Sequence, residues 1–171
     1  PRTLEACFGL VGDANDANSP DHRRSCYAVL SFIGNVTTNA QINNEYNFCV
    51  EDKLSFFDWT SQWTETVTFS SFESEMFPIS KATRIAFELR PLLAEVGFRQ
   101  DWPTPIYTDS SSAKTIVEGK HPAQFKGTKH MERRMFASQQ ANQLKLTKIR
   151  KVMSPGNPAD VLATFKIPSR L

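Results

Sequence analysis

Residues 103–119 read PTPIYTDSSSAKTIVEG. Pro105–Thr108 forms a short apolar strand pattern, Ser110–Glu118 a helix pattern, and Gly119 its stop. Asp109 sits at the junction, with three serines behind it and no His or Lys in the next four positions. A carboxylate in that place has two readings. It can cap the helix by accepting from its first free N–H groups, or it can form one wall of a metal site. The residues brought to the same place by the rest of the chain decide between them.

Upstream, CFGLVGD (7–13) is a strand candidate ending on Asp13, followed by the polar turn ANDANSPDHRRS. CYAVLSFIG (26–34) is a second strand, stopped by Gly34. Residues 35–54 are polar and rich in Asn, and read as a loop or a hairpin extension. A third strand is predicted over Ser55–Trp59, with a turn and a linking stretch behind it. From Phe72 to Val96 the period becomes helical: Ile79, Ala82, Ala86, Leu89 and Leu93 recur every three or four residues. Pro78 is compatible with this helix if the first turn begins near residues 72–74, and Pro91 predicts a kink or break. Downstream of Gly119 come a helix near Lys129–Asn142 and a strand over 144–152, with Leu144, Leu146 and Ile149 alternating against lysines. SPGNP then turns into a last short helix, ADVLATF. The order βββ–α–β–α–α–β–α predicts an α/β fold: a mixed five-stranded sheet, three strands antiparallel and two parallel, flanked by helices.

The chain has 171 residues, 40% of them hydrophobic and 13 of them Phe, enough for one domain over 1–171 with its own core. Trp59, Trp63 and the phenylalanines are assigned to that core. A formal net charge of +2 is too small to argue nucleic-acid binding alone. There is no apolar run long enough to span a membrane and no signal-peptide pattern at the start, and the absence of an initiator Met suggests an excised or processed chain. Cys7, Cys26 and Cys49 lie far apart with no CxxC pair, which fits reduced thiols in an intracellular compartment and argues against zinc.

Four carboxylates fall at element boundaries. Asp13 ends the first strand, Glu75 opens the long helix, Asp109 ends the fourth strand and Asp160 opens the last helix. If strands one and four are neighbours, Asp13 and Asp109 stand side by side, and helices starting at that edge bring in the other two. Clustered carboxylates raise one another's pKa unless a cation is present. Oxygen donors without Cys or His select Mg²⁺ or Mn²⁺, and two such ions about 4 Å apart can activate a water against a phosphodiester. Taken singly, each of these acids also reads as a structural cap.

At these residues the sequence resembles the ribonuclease H domain of copia-type LTR retrotransposons, over about Gly9–Lys166. The matching segments are DANDANSPDHRRS from Asp13, FFDWTSQW around Trp59, SSFESEM from Ser70, IYTDSSSAKTI from Ile106, TKHMERR from Thr128 and ADVLATF from Ala159. The resemblance implies a ribonuclease H-like fold and an endonuclease that uses two Mg²⁺ or Mn²⁺ ions. Its substrate would be the RNA strand of an RNA–DNA hybrid, cut within a reverse transcriptase polyprotein to leave 5′-phosphate and 3′-hydroxyl ends. It assigns catalysis and metal binding to Asp13, Glu75, Asp109 and Asp160. Asp16 competes with Asp13 but points to the opposite strand face. Glu73 competes with Glu75 but diverges from it by about 200° on a helix, and the family pattern favours Glu75. Ser70, Ser71, Ser111 and Lys129 lie in the motifs where phosphate or ribose 2′-hydroxyl contacts are expected, although serines there also cap helices. The Lys145, Lys148, Arg150 and Lys151 cluster reads as a solvated strand face, and neither His121 nor His130 is assigned as a general acid. The chain departs from the family by an insertion of about twenty residues at 35–54 and by Pro78 near the start of the long helix. A non-enzymatic ribonuclease H-like scaffold or nucleic-acid-binding module is the alternative. A DDE-type integrase core is opposed by the D–E–D–D order of the acids.

Overall fold

The computed structural model describes residues 6–15, 24–35, 54–68, 70–119 and 129–164. Its strands are β1 (Ala6–Asn15), β2 (Cys26–Asn35), β3 (Leu54–Trp63), β4 (Thr104–Thr108) and β5 (Thr147–Lys151). Its helices are α1 (Ser71–Glu95), α2 (Ser111–Val117), α3 (Lys129–Gln143) and α4 (Pro158–Thr164), with a single 3₁₀ turn at Ser154–Gly156. The sheet order is β3-β2-β1-β4-β5. β1 and β2 pair antiparallel, as do β2 and β3, whereas β1–β4 and β4–β5 are parallel. This is the mixed sheet that the element order predicts.

Alternation along the central strands builds two cores, one on each face of the sheet. Leu10 and Ile106 join Met76, Ile79, Ile149 and Met131 in the larger cluster, shared with α1 and α3. Their strand neighbours Val11 and Tyr107 face the other way and pack with Ala28, Phe32, Ala159 and Ala163 beneath α4. The parallel register sets Val11 against Tyr107. Two residues further along each strand, Asp13 and Asp109 therefore emerge together at the carboxyl edge.

α1 lies close against β1 at that same edge. A Cβ at Gly12 would stand 2.9 Å from the Cβ of Pro78, so only glycine permits this approach next to Asp13. Pro78 is not in the first turn, where the sequence reading would put it. The helix begins at Ser71, which leaves Pro78 about two turns inside. Pro91 produces no break, since α1 continues to Glu95. Pro91 and Phe87 are both exposed, so the carbonyl deprived of a partner by the ring lies where water reaches it.

Other expectations are corrected. β3 runs to Trp63 rather than stopping at Trp59. Trp59 and Trp63 are not core residues: they are 65% and 42% exposed, as are Phe56, Phe57, Phe87 and Phe136 to similar degrees. β3 is an edge strand, with a sheet neighbour on one side only among the described residues, and its aromatic composition reflects strand propensity rather than burial. β5 starts at Thr147, and the alternation at Leu144 and Leu146 belongs to the close of α3. There the Leu144 and Leu146 N–H groups donate to the Gln140 and Ala141 carbonyls and Lys145 takes a left-handed φ of 56°. Residues 36–53 of the expected insertion lie outside the described residues, and the hairpin that carries it is paired up to Gly34 and Leu54. No helix among the described residues is long and apolar enough to cross a membrane.

Candidate active site

Asp109 follows β4 directly, and the cap of α2 is Ser110: its hydroxyl accepts from the Ala113 N–H at 3.3 Å. The capping role that Asp109 might have filled is taken by its neighbour. Asp109 instead shares a side-chain hydrogen bond with Asp13 and receives a second, at 2.8 Å, from the Ser154 hydroxyl. α1 shows the same division of labour. Ser70 caps it by accepting from the Glu73 N–H, and Glu75 lies one turn further in.

Carboxylate oxygens of Asp13, Glu75 and Asp109 all lie within 4.8 Å of one another. Asp13 is buried, and the other two are half-buried. The Asp13 pKa is pushed from 3.8 to about 7, first by burial and then by the charges of Asp109 and Asp160. The shared hydrogen bond with Asp109 raises it further, and a hydrogen bond from the Ala14 backbone opposes the rise. Near neutral pH the cluster thus holds a proton where a cation would otherwise balance the charge. Three oxygen donors of this kind, deprotonated on cation binding, are compatible with a divalent cation.

Asp160 stands apart from this group. It is exposed in the first turn of α4, accepts at 3.3 Å from the Thr164 hydroxyl, and reaches Asp13 through its charge. Glu73 is likewise outside the group. Asp16 lies outside the described residues, as do the side chains of Lys129 and His130 and all of His121. Ser71 is exposed at the start of α1. Ser111 accepts a hydrogen bond from Lys151 Nζ, which ties a member of the supposed solvated lysine face to the edge beside Asp109.

Two site residues escaped the sequence reading. Ser154 and Asn157 lie in SPGNP, which reads only as a turn. For Ser154 there is no local signal, whereas an Asn placed just before an apolar helix is a capping signal.

A β3-β2-β1-β4-β5 sheet with helices on both faces and carboxylates at the ends of β1 and β4 defines a ribonuclease H-like fold. The comparisons agree. No protein-family model matches the chain, and no curated protein does. Among solved structures, twelve chains match. RNase H1 of the halophilic archaeon Halobacterium salinarum superposes with a TM-score of 0.56 at 10% identity, over 91% of this chain and 92% of that one. LC11-RNase H1, solved in complex with an RNA/DNA hybrid, gives 0.55 at 9% identity over 91% and 92%. The foamy viral protease-reverse transcriptase, also in complex with an RNA/DNA hybrid, gives 0.54 at 18% identity, with 94% of this chain matching 20% of that protein.

Proposed function

We propose that the domain is a divalent-cation-dependent ribonuclease H that cuts the RNA strand of RNA–DNA hybrids within a copia-type retroelement reverse transcriptase. The observation that carries this reading is the meeting of the Asp13, Glu75 and Asp109 oxygens within 4.8 Å, with Asp13 held at a pKa of about 7. The motif resemblance and the hybrid-bound structural relatives support it.

Asp13, Glu75 and Asp109 would hold Mg²⁺ or Mn²⁺, with Asp160 contributing from the rim. Bound there, two ions would supply Lewis-acid activation of water and charge neutralisation at the phosphate. The chain's own groups do the rest. Asp13 would release its proton to solvent on binding a cation, and the Ser154 hydroxyl donates to Asp109 and holds its orientation. Ser70, Ser71 and Ser111 offer hydroxyls, and Lys129 and Lys151 offer charge, to the hybrid's phosphates and 2′-hydroxyls. The hybrid is the partner, the remainder of a reverse transcriptase polyprotein is the covalent neighbour, and the compartment is intracellular.

The test is incubation of an end-labelled RNA–DNA hybrid with wild type in Mg²⁺ or Mn²⁺, with chelator, and with Asp109→Asn. Cleavage of the RNA strand is expected, abolished by chelator and lowered at least about a hundredfold by the substitution, beyond the effect of losing an outer-shell partner. Binding of the hybrid without cleavage by wild type in either ion would replace this reading with the scaffold.

A further inference from the structure

Asn157 joins the 3₁₀ turn to α4 and is 4% exposed. Its Nδ2 donates to Asp13 Oδ1 at 3.2 Å and, at the long distance of 3.5 Å, to the Gly12 carbonyl. Its Oδ1 accepts from the Ala159 N–H at 3.1 Å. Its own carbonyl accepts from the Asp160 N–H at 3.2 Å. The amide orientation is determined by chemistry, because the Ala159 N–H can only meet an oxygen and the nitrogen is thereby turned to Asp13. Capping α4 requires only an acceptor, which Ser, Thr or Asp would supply equally well. The donor half of the amide has its use at Asp13.

We infer that Asn157 is a positioning residue for the cation site. It holds the Asp13 carboxylate in one orientation and fixes the start of α4, and with it Asp160, against the end of β1. A carboxylate on a free rotor must be ordered before it can ligate, and a buried amide hydrogen bond orders it in advance. This inference rests on the cation-site reading above.

The separating variant is Asn157→Ser. Serine keeps an acceptor for the Ala159 N–H but is too short to reach Asp13, so the cap survives and the bridge is lost. Isothermal titration of Mn²⁺ into the folded domain, with thermal unfolding alongside, is expected to show a Tm near wild type and Mn²⁺ affinity ten- to a hundredfold weaker. An affinity within twofold of wild type would overturn the inference while leaving the cation site standing. Failure of wild type to bind Mn²⁺ would remove the site and the inference with it. A measurement on wild type alone covers the case in which the variant does not fold. In ¹H–¹⁵N spectra the Asn157 side-chain amide resonances are expected to move on saturation with Mg²⁺, and their standing still would refute the positioning role.

Discussion

Replacing Asp13 by Asn should make the cation-free protein more stable at alkaline pH. The folded-state pKa of Asp13 is about 7 against 3.8 for the unperturbed group, so the folded chain holds this proton more tightly than the unfolded one. The stabilisation is complete below about pH 4 and disappears as pH rises through 7. Between pH 5 and pH 8 the proton is released over roughly two pH units, a loss of about 3 kcal/mol at 1.36 kcal/mol per unit. For a chain of this length that is a fall in Tm of roughly 6–12 °C. Asparagine keeps the shape of the side chain and has no charge to bury, so Asp13→Asn lacks this component of the pH dependence. The assay is thermal unfolding in chelator from pH 5 to pH 8, wild type beside variant, read as the difference between the two curves. Mg²⁺ at about a hundred times its dissociation constant should restore about 2.7 kcal/mol to wild type at pH 8 and much less to the variant. Parallel curves for the two proteins, or a wild type that gains on the variant as pH rises, would refute the reasoning: Asp13 would then not be the group on which burial and neighbouring carboxylates act.

Gly12→Ala should lower stability by about 1–3 kcal/mol, because its Cβ would lie 2.9 Å from Pro78 in a packed contact. Urea unfolding would read this, and the displacement of α1 should weaken Mn²⁺ binding, since Glu75 is carried on the same helix. Glu75→Gln should weaken Mn²⁺ binding at least about a hundredfold and Glu73→Gln by less than about twofold, because only Glu75 belongs to the oxygen cluster. Titration calorimetry on the two variants separates them, and equal losses would mean that the start of α1 presents both carboxylates.

Much of the fold was legible because the central strands are apolar and close near their own stop signals. Gly34, Asp13 and Asp109 lie within a residue or two of the ends of β2, β1 and β4. The edge of the sheet was less legible. Trp59 and Trp63 have the composition of a core but stand on β3, whose burial depends on a neighbour that local sequence does not specify. Of the kink or break expected at Pro91, the break is absent for a related reason: a missing helix hydrogen bond matters little where the freed carbonyl lies on an exposed stretch, and exposure is a tertiary property.

The site divides along the same line. Which acids end a strand or open a helix is local information, and their convergence follows once β1 and β4 are placed as parallel neighbours. What local information leaves open is whether an acid at such a boundary is a cap or a ligand, since both occupy the same position. In the structure the caps are held by other groups. At α2 the hydroxyl of Ser110 takes the Ala113 N–H, at α1 that of Ser70 takes the Glu73 N–H, and at α4 the amide of Asn157 takes the Ala159 N–H. In each case a neutral side chain within five residues of the acid satisfies the helix end: Ser110 directly after Asp109, Ser70 five residues before Glu75 and Asn157 three before Asp160. These carboxylates are left with charge and no capping duty, and beside the burial of Asp13 the charges of Asp109 and Asp160 help raise its pKa to about 7. A neutral capping residue close to an acid at a helix start is visible in sequence, and it turns an ambiguous carboxylate into a candidate ligand wherever a second such acid ends the neighbouring strand.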